Sequence, residues 1–110
     1  MSKLDLGELM KQAKEVGARL QEIQEQLRHR TVEATVGGGM VTARVNGKLE
    51  LVSIQIDRQA VDPRDVEMLQ DLIAAAVNEA LRRAQELARE ELQRATGLPI
   101  SSLLGGAGGT

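Results

Sequence analysis

The apolar positions of this chain recur with two different periods. Leu6, Leu9, Ala13, Val16, Leu20, Ile23 and Leu27 follow one another at alternating steps of three and four. That spacing lays a single stripe along a helix over about residues 4 to 30. From Thr31 the period drops to two. Val32, Ala34 and Val36 alternate with polar residues, and Val41 to Val45 and Leu49 to Ile56 are rich in the β-branched and aliphatic residues of strands. A helical period returns after Asp62 and runs to about Ala95, with Val66, Leu69, Ile73, Ala76, Val77, Ala80, Ala84, Leu87, Ala88 and Leu92 on its apolar face. The pattern predicts an α+β fold of order α-β-β-β-α, with a three-stranded antiparallel sheet between two long terminal helices.

The residues between these runs sharpen the boundaries. Asp5 with Glu8 three positions on reads as a helix-capping pair. Asp62 reads as the cap of the second helix, with Pro63 in its first turn and Asp65 and Glu67 near its positive end. Gly97 and Pro99 end it. Gly37-Gly38-Gly39 reads as a turn or bulge between the first two strands; a phosphate-cradling loop needs a helix N-terminus behind it, and a strand pattern follows instead. Asn46-Gly47 predicts a two-residue type I′ hairpin in which Val45 faces Lys48, Ala43 faces Glu50 and Val41 faces Val52. That register places Val41, Ala43, Val45, Val52, Ile54 and Ile56 on the core face.

Length limits what one copy can cover. The 110 residues make one domain, expected over 1–97, followed by a flexible Gly-rich tail, 98–110. The second helix is about 50 Å long at ~1.5 Å per residue, whereas a compact 100-residue domain has a radius of gyration of about 13 Å. It therefore projects past its own sheet, and a homodimer is the economical way to cover the remaining apolar surface.

Composition mainly excludes chemistry. With no cysteine there is no disulfide, thiolate nucleophile or cysteine zinc site, and the single histidine, His29, reads as exposed between Arg28 and Arg30. Asp57, Asp62, Asp65 and Asp71 have no base or nucleophile set beside them. The expectation is a protein that is not an enzyme, with no cofactor, metal or small-molecule substrate. No Phe, Tyr or Trp is present, which argues against stacking of single-stranded bases. Asp5 and Glu8 interrupt the first apolar run, so no signal peptide is read. No run approaches the ~20 apolar residues that span a bilayer. A cytoplasmic protein without a membrane partner is expected.

The net charge of −2 rules out a polybasic protein but leaves room for a local basic patch. Residues 1 to 30 hold six Lys and Arg against five acids, and 79 to 95 hold four against four, while 61 to 78 hold one against four. The candidate phosphate contacts are Lys3, Lys11, Lys14, Arg28 and Arg30 from the first helical region and Arg82, Arg83, Arg89 and Arg94 from the second. The competing reading is an ordinary solvated face, because glutamates stand four residues before arginines, as in Glu15 to Arg19 and Glu79 to Arg83.

Four segments together resemble a known family. VGGGMV (36–41), VNGKLELVSIQID (45–57), EMLQDLIAAAVNEAL (67–81) and the opening Leu9-Met10-Lys11-Gln12-Ala13 are similar to the YbaB/EbfC family of bacterial nucleoid-associated proteins. The resemblance covers about residues 6 to 97. It implies a tweezer-like homodimer whose helical arms reach from a central body of strands. It also implies binding of duplex DNA with a change in its conformation, a place in the nucleoid, a role in gene regulation, and neither cofactor nor catalysis. Family DNA contacts lie on the terminal helices, which makes Lys11 the best-matched basic residue and Lys14, Arg82 and Arg83 the next. The alternative from the residues alone is a dimeric adaptor that binds another protein through exposed helix faces.

Overall fold

A computed structural model describes residues 5–97. Lys3, Pro99 and the expected tail lie outside that range. The order is α1 (Leu6–Arg28), β1 (Thr31–Val36), β2 (Val41–Asn46), β3 (Leu51–Ile56), a 3-10 turn (Arg58–Ala60) and α2 (Val66–Thr96). The α-β-β-β-α reading is met. The sheet is antiparallel in the order β1-β2-β3.

Asp5 starts α1 as expected, accepting hydrogen bonds from the Gly7 and Glu8 N–H groups at 3.0 and 3.4 Å. The start of α2 differs from expectation. Asp62 instead closes a local turn, accepting from the Arg64 N–H at 2.9 Å, and Asp65 caps the helix by accepting from the Met68 N–H at 3.1 Å. The sequence offers two aspartates three residues apart. A 3-10 turn capped by Asp57, unforeseen in the sequence, delays the helix to the second of them. At the far end Gly97 adopts the left-handed conformation and donates its N–H to Gln93 O at 2.8 Å.

The two strand connections behave differently. Gly37, Gly38 and Gly39 take φ values of 66°, 67° and 98°, a left-handed run that only glycine adopts readily, and this links β1 to β2. The β2–β3 connection is not the two-residue hairpin. Val41 pairs with Ile56, Ala43 with Ile54, and Val45 with Leu51 across a bulge that leaves Val52 as the extra residue. Val52 is therefore exposed rather than in the core, and Ile56, paired with Val41 at the end of β3, is exposed as well, while Ile54 packs against the core as expected.

Asn46 explains why the loop lengthens. Its buried side chain accepts from the Lys48 and Glu50 N–H groups at 2.9 and 3.0 Å and donates to Glu50 Oε1 at 2.8 Å, organising a wider turn. The residue with positive φ is Leu49, at 64°. Gly47 serves close approach: its N–H donates to the carbonyls of Leu27 and Arg30, both at 2.9 Å, and a Cβ there would meet Leu27 O at 2.8 Å. The loop thus seals the C-terminal end of α1.

The core lies between α2 and one face of the sheet. Ala34, Val41, Ala43 and Val45 meet Ala76, Ala80 and Ala84, with Val32, Ile54, Leu69, Leu72 and Ile73 around them. Alanines at every fourth position keep that side of α2 thin, so the helix backbone sits close to the strands. The other sheet face is polar: Thr35 and Thr42 hydrogen-bond at 2.9 Å, and Arg44 pairs with Glu33. The molecule measures 75 × 34 × 18 Å with a radius of gyration of 20.1 Å, well above the ~13 Å of a compact domain this size.

Candidate nucleic-acid interface

The α1 helix leaves the body as an arm. Of its seven stripe residues only Ile23 and Leu27, next to the sealed end, are buried. Leu6 is 72 % exposed, Leu9 43 %, Val16 59 % and Leu20 41 %. An open groove of about 450 Å³ runs between α1, from Gln12 to Ile23, and Ala95 of α2. Leu51, Val52, Val61 and Val66, around β3 and the start of α2, are exposed as well.

The predicted basic residues separate into two groups. Lys11 and Lys14 make no ion pair among the described residues. Each stands two positions from a stripe residue, Leu9 or Val16, which turns it ~160° around the helix, opposite the apolar face. The arginines are occupied. Arg28 pairs with Glu25 at 3.4 Å, Arg82 with Glu79, Arg83 with Glu79 at 3.5 Å, and Arg89 with Glu86 at 3.4 Å. Arg30 and Arg94 share Glu91. These are mostly exposed pairs, the class that contributes roughly 0–1 kcal/mol each, so they lower the positive potential of the arginines more than they hold the fold.

The pairing reaches the proton equilibria. The hydrogen bond from Arg82 is the main cause that holds the Glu79 carboxyl below its ordinary value of 4.5, helped by the charges of Arg82 and Arg83. The Arg64 backbone N–H and side chain do the same for Asp62. His29 sits 3.2 Å from Glu25 with an exposed ring, as its position between two arginines suggested.

Sequence spacing foresaw Glu79 with Arg83 but not the failure of Glu15 with Arg19, which make no ion pair among the described residues. Arg19 lines the groove instead, and Lys48 and Arg58 likewise have no ion pair among the described residues. Nothing in the pattern separates these three cations from the paired ones. The pairing depends on which rotamers the neighbouring turn leaves open.

Among the described residues there is no group of acids and histidine that would hold a metal ion, and no helix is long and apolar enough to cross a membrane.

Comparison with known proteins gives the arrangement its context. The chain is 53 % identical over 93 residues to a protein of Moorella thermoacetica described as a nucleoid-associated protein, covering 84 % of this chain and 89 % of that one. A nucleoid-associated protein of Thermodesulfovibrio yellowstonii is 51 % identical over 112 residues, covering 96 % and 98 %. The crystal structure of an uncharacterized protein from Helicobacter pylori superposes with a TM-score of 0.73 at 26 % identity, over 86 % of this chain and 98 % of that one. The family model of the YbaB/EbfC DNA-binding family, a family of DNA-binding proteins and not of enzymes, matches residues 1–98. With its helix–sheet–helix fold and its match along the whole described range, this chain belongs to the YbaB/EbfC DNA-binding family.

Proposed function

We propose that the protein is a nucleoid-associated homodimer of the cytoplasm that binds duplex DNA through its phosphates, alters its conformation, and so contributes to nucleoid organisation and gene regulation. The observation that carries this reading is the family match over residues 1–98. The form of α1 supports the mechanism. Its exposed stripe asks for a partner surface, which a second copy supplies, while Lys11 and Lys14 on the opposite side stay available to phosphate. Readout of base sequence is slight, because lysine is a point charge without the fork that recognises base edges.

The test is a salt titration of binding to several unrelated duplexes. Affinity falls linearly on a logarithmic salt scale, with little difference between sequences. A dimer of Lys11→Gln/Lys14→Gln loses four phosphate contacts, so its slope is shallower by about 3 to 4, at about 0.9 per contact. Both lysines are exposed, and the melting temperature stays where it was. A variant with an unchanged slope contradicts the assignment of these lysines. Recovery of a stoichiometric protein partner in place of duplex DNA favours the adaptor reading.

A further inference from the structure

Most of the paired arginines meet a glutamate on their own helix; one carboxylate is different. Glu91 of α2 receives two guanidinium groups from separate parts of the chain, both on the same oxygen, Oε1. Arg30, in the connection between α1 and β1, donates from Nη1, and Arg94, one turn further along α2, donates from Nη1 at 2.8 Å. The Glu91 side chain is only 17 % exposed, whereas those of Arg30 and Arg94 are 51 % and 70 % exposed. Two guanidinium groups brought onto one carboxylate oxygen, each through its Nη1, are a donor set that suits phosphate as well as carboxylate.

We propose that Arg30 and Arg94 form an oxyanion cradle for a backbone phosphate of duplex DNA, and that Glu91 is a built-in surrogate that fills it when no DNA is bound. The identity of the anion as DNA phosphate rests on the function proposed above; the cradle itself does not. With Glu91 in place the three side chains carry one net positive charge. Without its charge they carry two at a single point. Both guanidinium groups are exposed enough to turn outward while Glu91 stays against the body. Duplex binding thus has to displace a carboxylate, which weakens it. Glu91 is a positioning residue that sets how strongly the two arginines hold phosphate.

The experiment compares the full-length wild type with Glu91→Gln, which keeps the size and an accepting oxygen but removes the charge. In the DNA arm, Glu91→Gln binds unrelated duplexes about tenfold more tightly at low salt. Its salt slope is no shallower than that of wild type, because both hold one phosphate per copy in the cradle and only wild type has to release a carboxylate to do so. The second arm needs no DNA. Thermal unfolding is followed in sodium sulfate and in sodium chloride at matched ionic strength. Glu91→Gln gains a sulfate-specific rise in melting temperature that exceeds that of wild type, and adding Arg30→Gln removes it.

If wild type fails to bind duplex while the sulfate rise is present, the DNA reading falls and the oxyanion cradle stands. Absence of the sulfate rise overturns the proposal, and so does unchanged or weaker duplex binding by Glu91→Gln when wild type binds. If Glu91→Gln does not fold, the proposal is also overturned, because the carboxylate is then a brace between α1 and α2 rather than a stand-in for a ligand.

Discussion

Two amphipathic helices of one chain meet opposite fates. The middle of the α2 stripe lands on the sheet, and Ala76, Ala80 and Ala84 are fully buried against β1 and β2. The α1 stripe is made of larger side chains, yet four of its seven residues are more than two-fifths exposed. What separates them is side-chain size and spacing. Alanine every fourth residue makes a flat, thin surface that fits a pleated sheet. Leucine, valine and isoleucine at heptad spacing make knobs that fit the holes of another helix. Amphipathicity says that a face is to be covered; the size of its residues says by what.

Charge placed on the α1 stripe has the largest expected effect. Val16→Glu with Leu20→Glu places charges in the surface assigned to a second copy. Burying an unpaired carboxylate costs several kcal/mol, so self-association weakens by at least about a hundredfold. The body, whose core these residues do not enter, keeps its circular dichroism. If the variant self-associates like wild type, the stripe is not the covered surface.

At the body, Ala80→Leu forces added volume between α2 and β2. Overpacking of this kind costs about 1–3 kcal/mol in chemical denaturation, and an equal insertion at exposed Ala75 costs almost nothing. Equal effects at the two positions would mean that α2 does not lie as described. A comparable loss, about 1–3 kcal/mol, follows from Gly47→Ala, whose Cβ meets a backbone carbonyl that cannot move aside. Hydrogen exchange in that variant rises first in the last turns of α1, where the loop is docked. Uniform exchange across the chain would show that the loop does not anchor the arm.

The smallest effect is the pH dependence of the α2 ion pairs. Glu79 has its folded pKa depressed below the ordinary 4.5, so the folded state binds its proton less readily than the unfolded chain. Its stabilising contribution is present above the ordinary value and is lost as pH falls through the depressed one. Glu79→Gln therefore flattens the acid limb of the stability profile slightly and leaves neutral stability nearly unchanged. A steeper acid limb contradicts the pairing.

Much of this was legible from residue pattern. The order of elements, the Asp5 cap, the glycine turn and the Gly97 stop follow from local chemistry that acts over a few residues. The β2–β3 register did not. Asn46-Gly47 fits a tight type I′ turn locally, but Gly47 is held by the end of α1, twenty residues away at Leu27, and Asn46 spends its side chain on Lys48 and Glu50. A tertiary contact won over a local preference, and the bulge at Val52 follows from it. The same limit applied to the site. Nine basic residues were legible as candidates, but which cations lie free and which are matched depends on side-chain packing. The Arg30–Glu91 pair joins residues sixty-one positions apart, a distance that no helical spacing rule reaches.

A DNA-gripping pair of arms requires a second copy covering the α1 stripe, and sedimentation of the full chain at low micromolar concentration tests that most directly. The prediction is a folded species of twice the 11.9 kDa chain mass, with Val16→Glu/Leu20→Glu sedimenting as one chain. A well-folded wild-type species of 11.9 kDa across that range would contradict it.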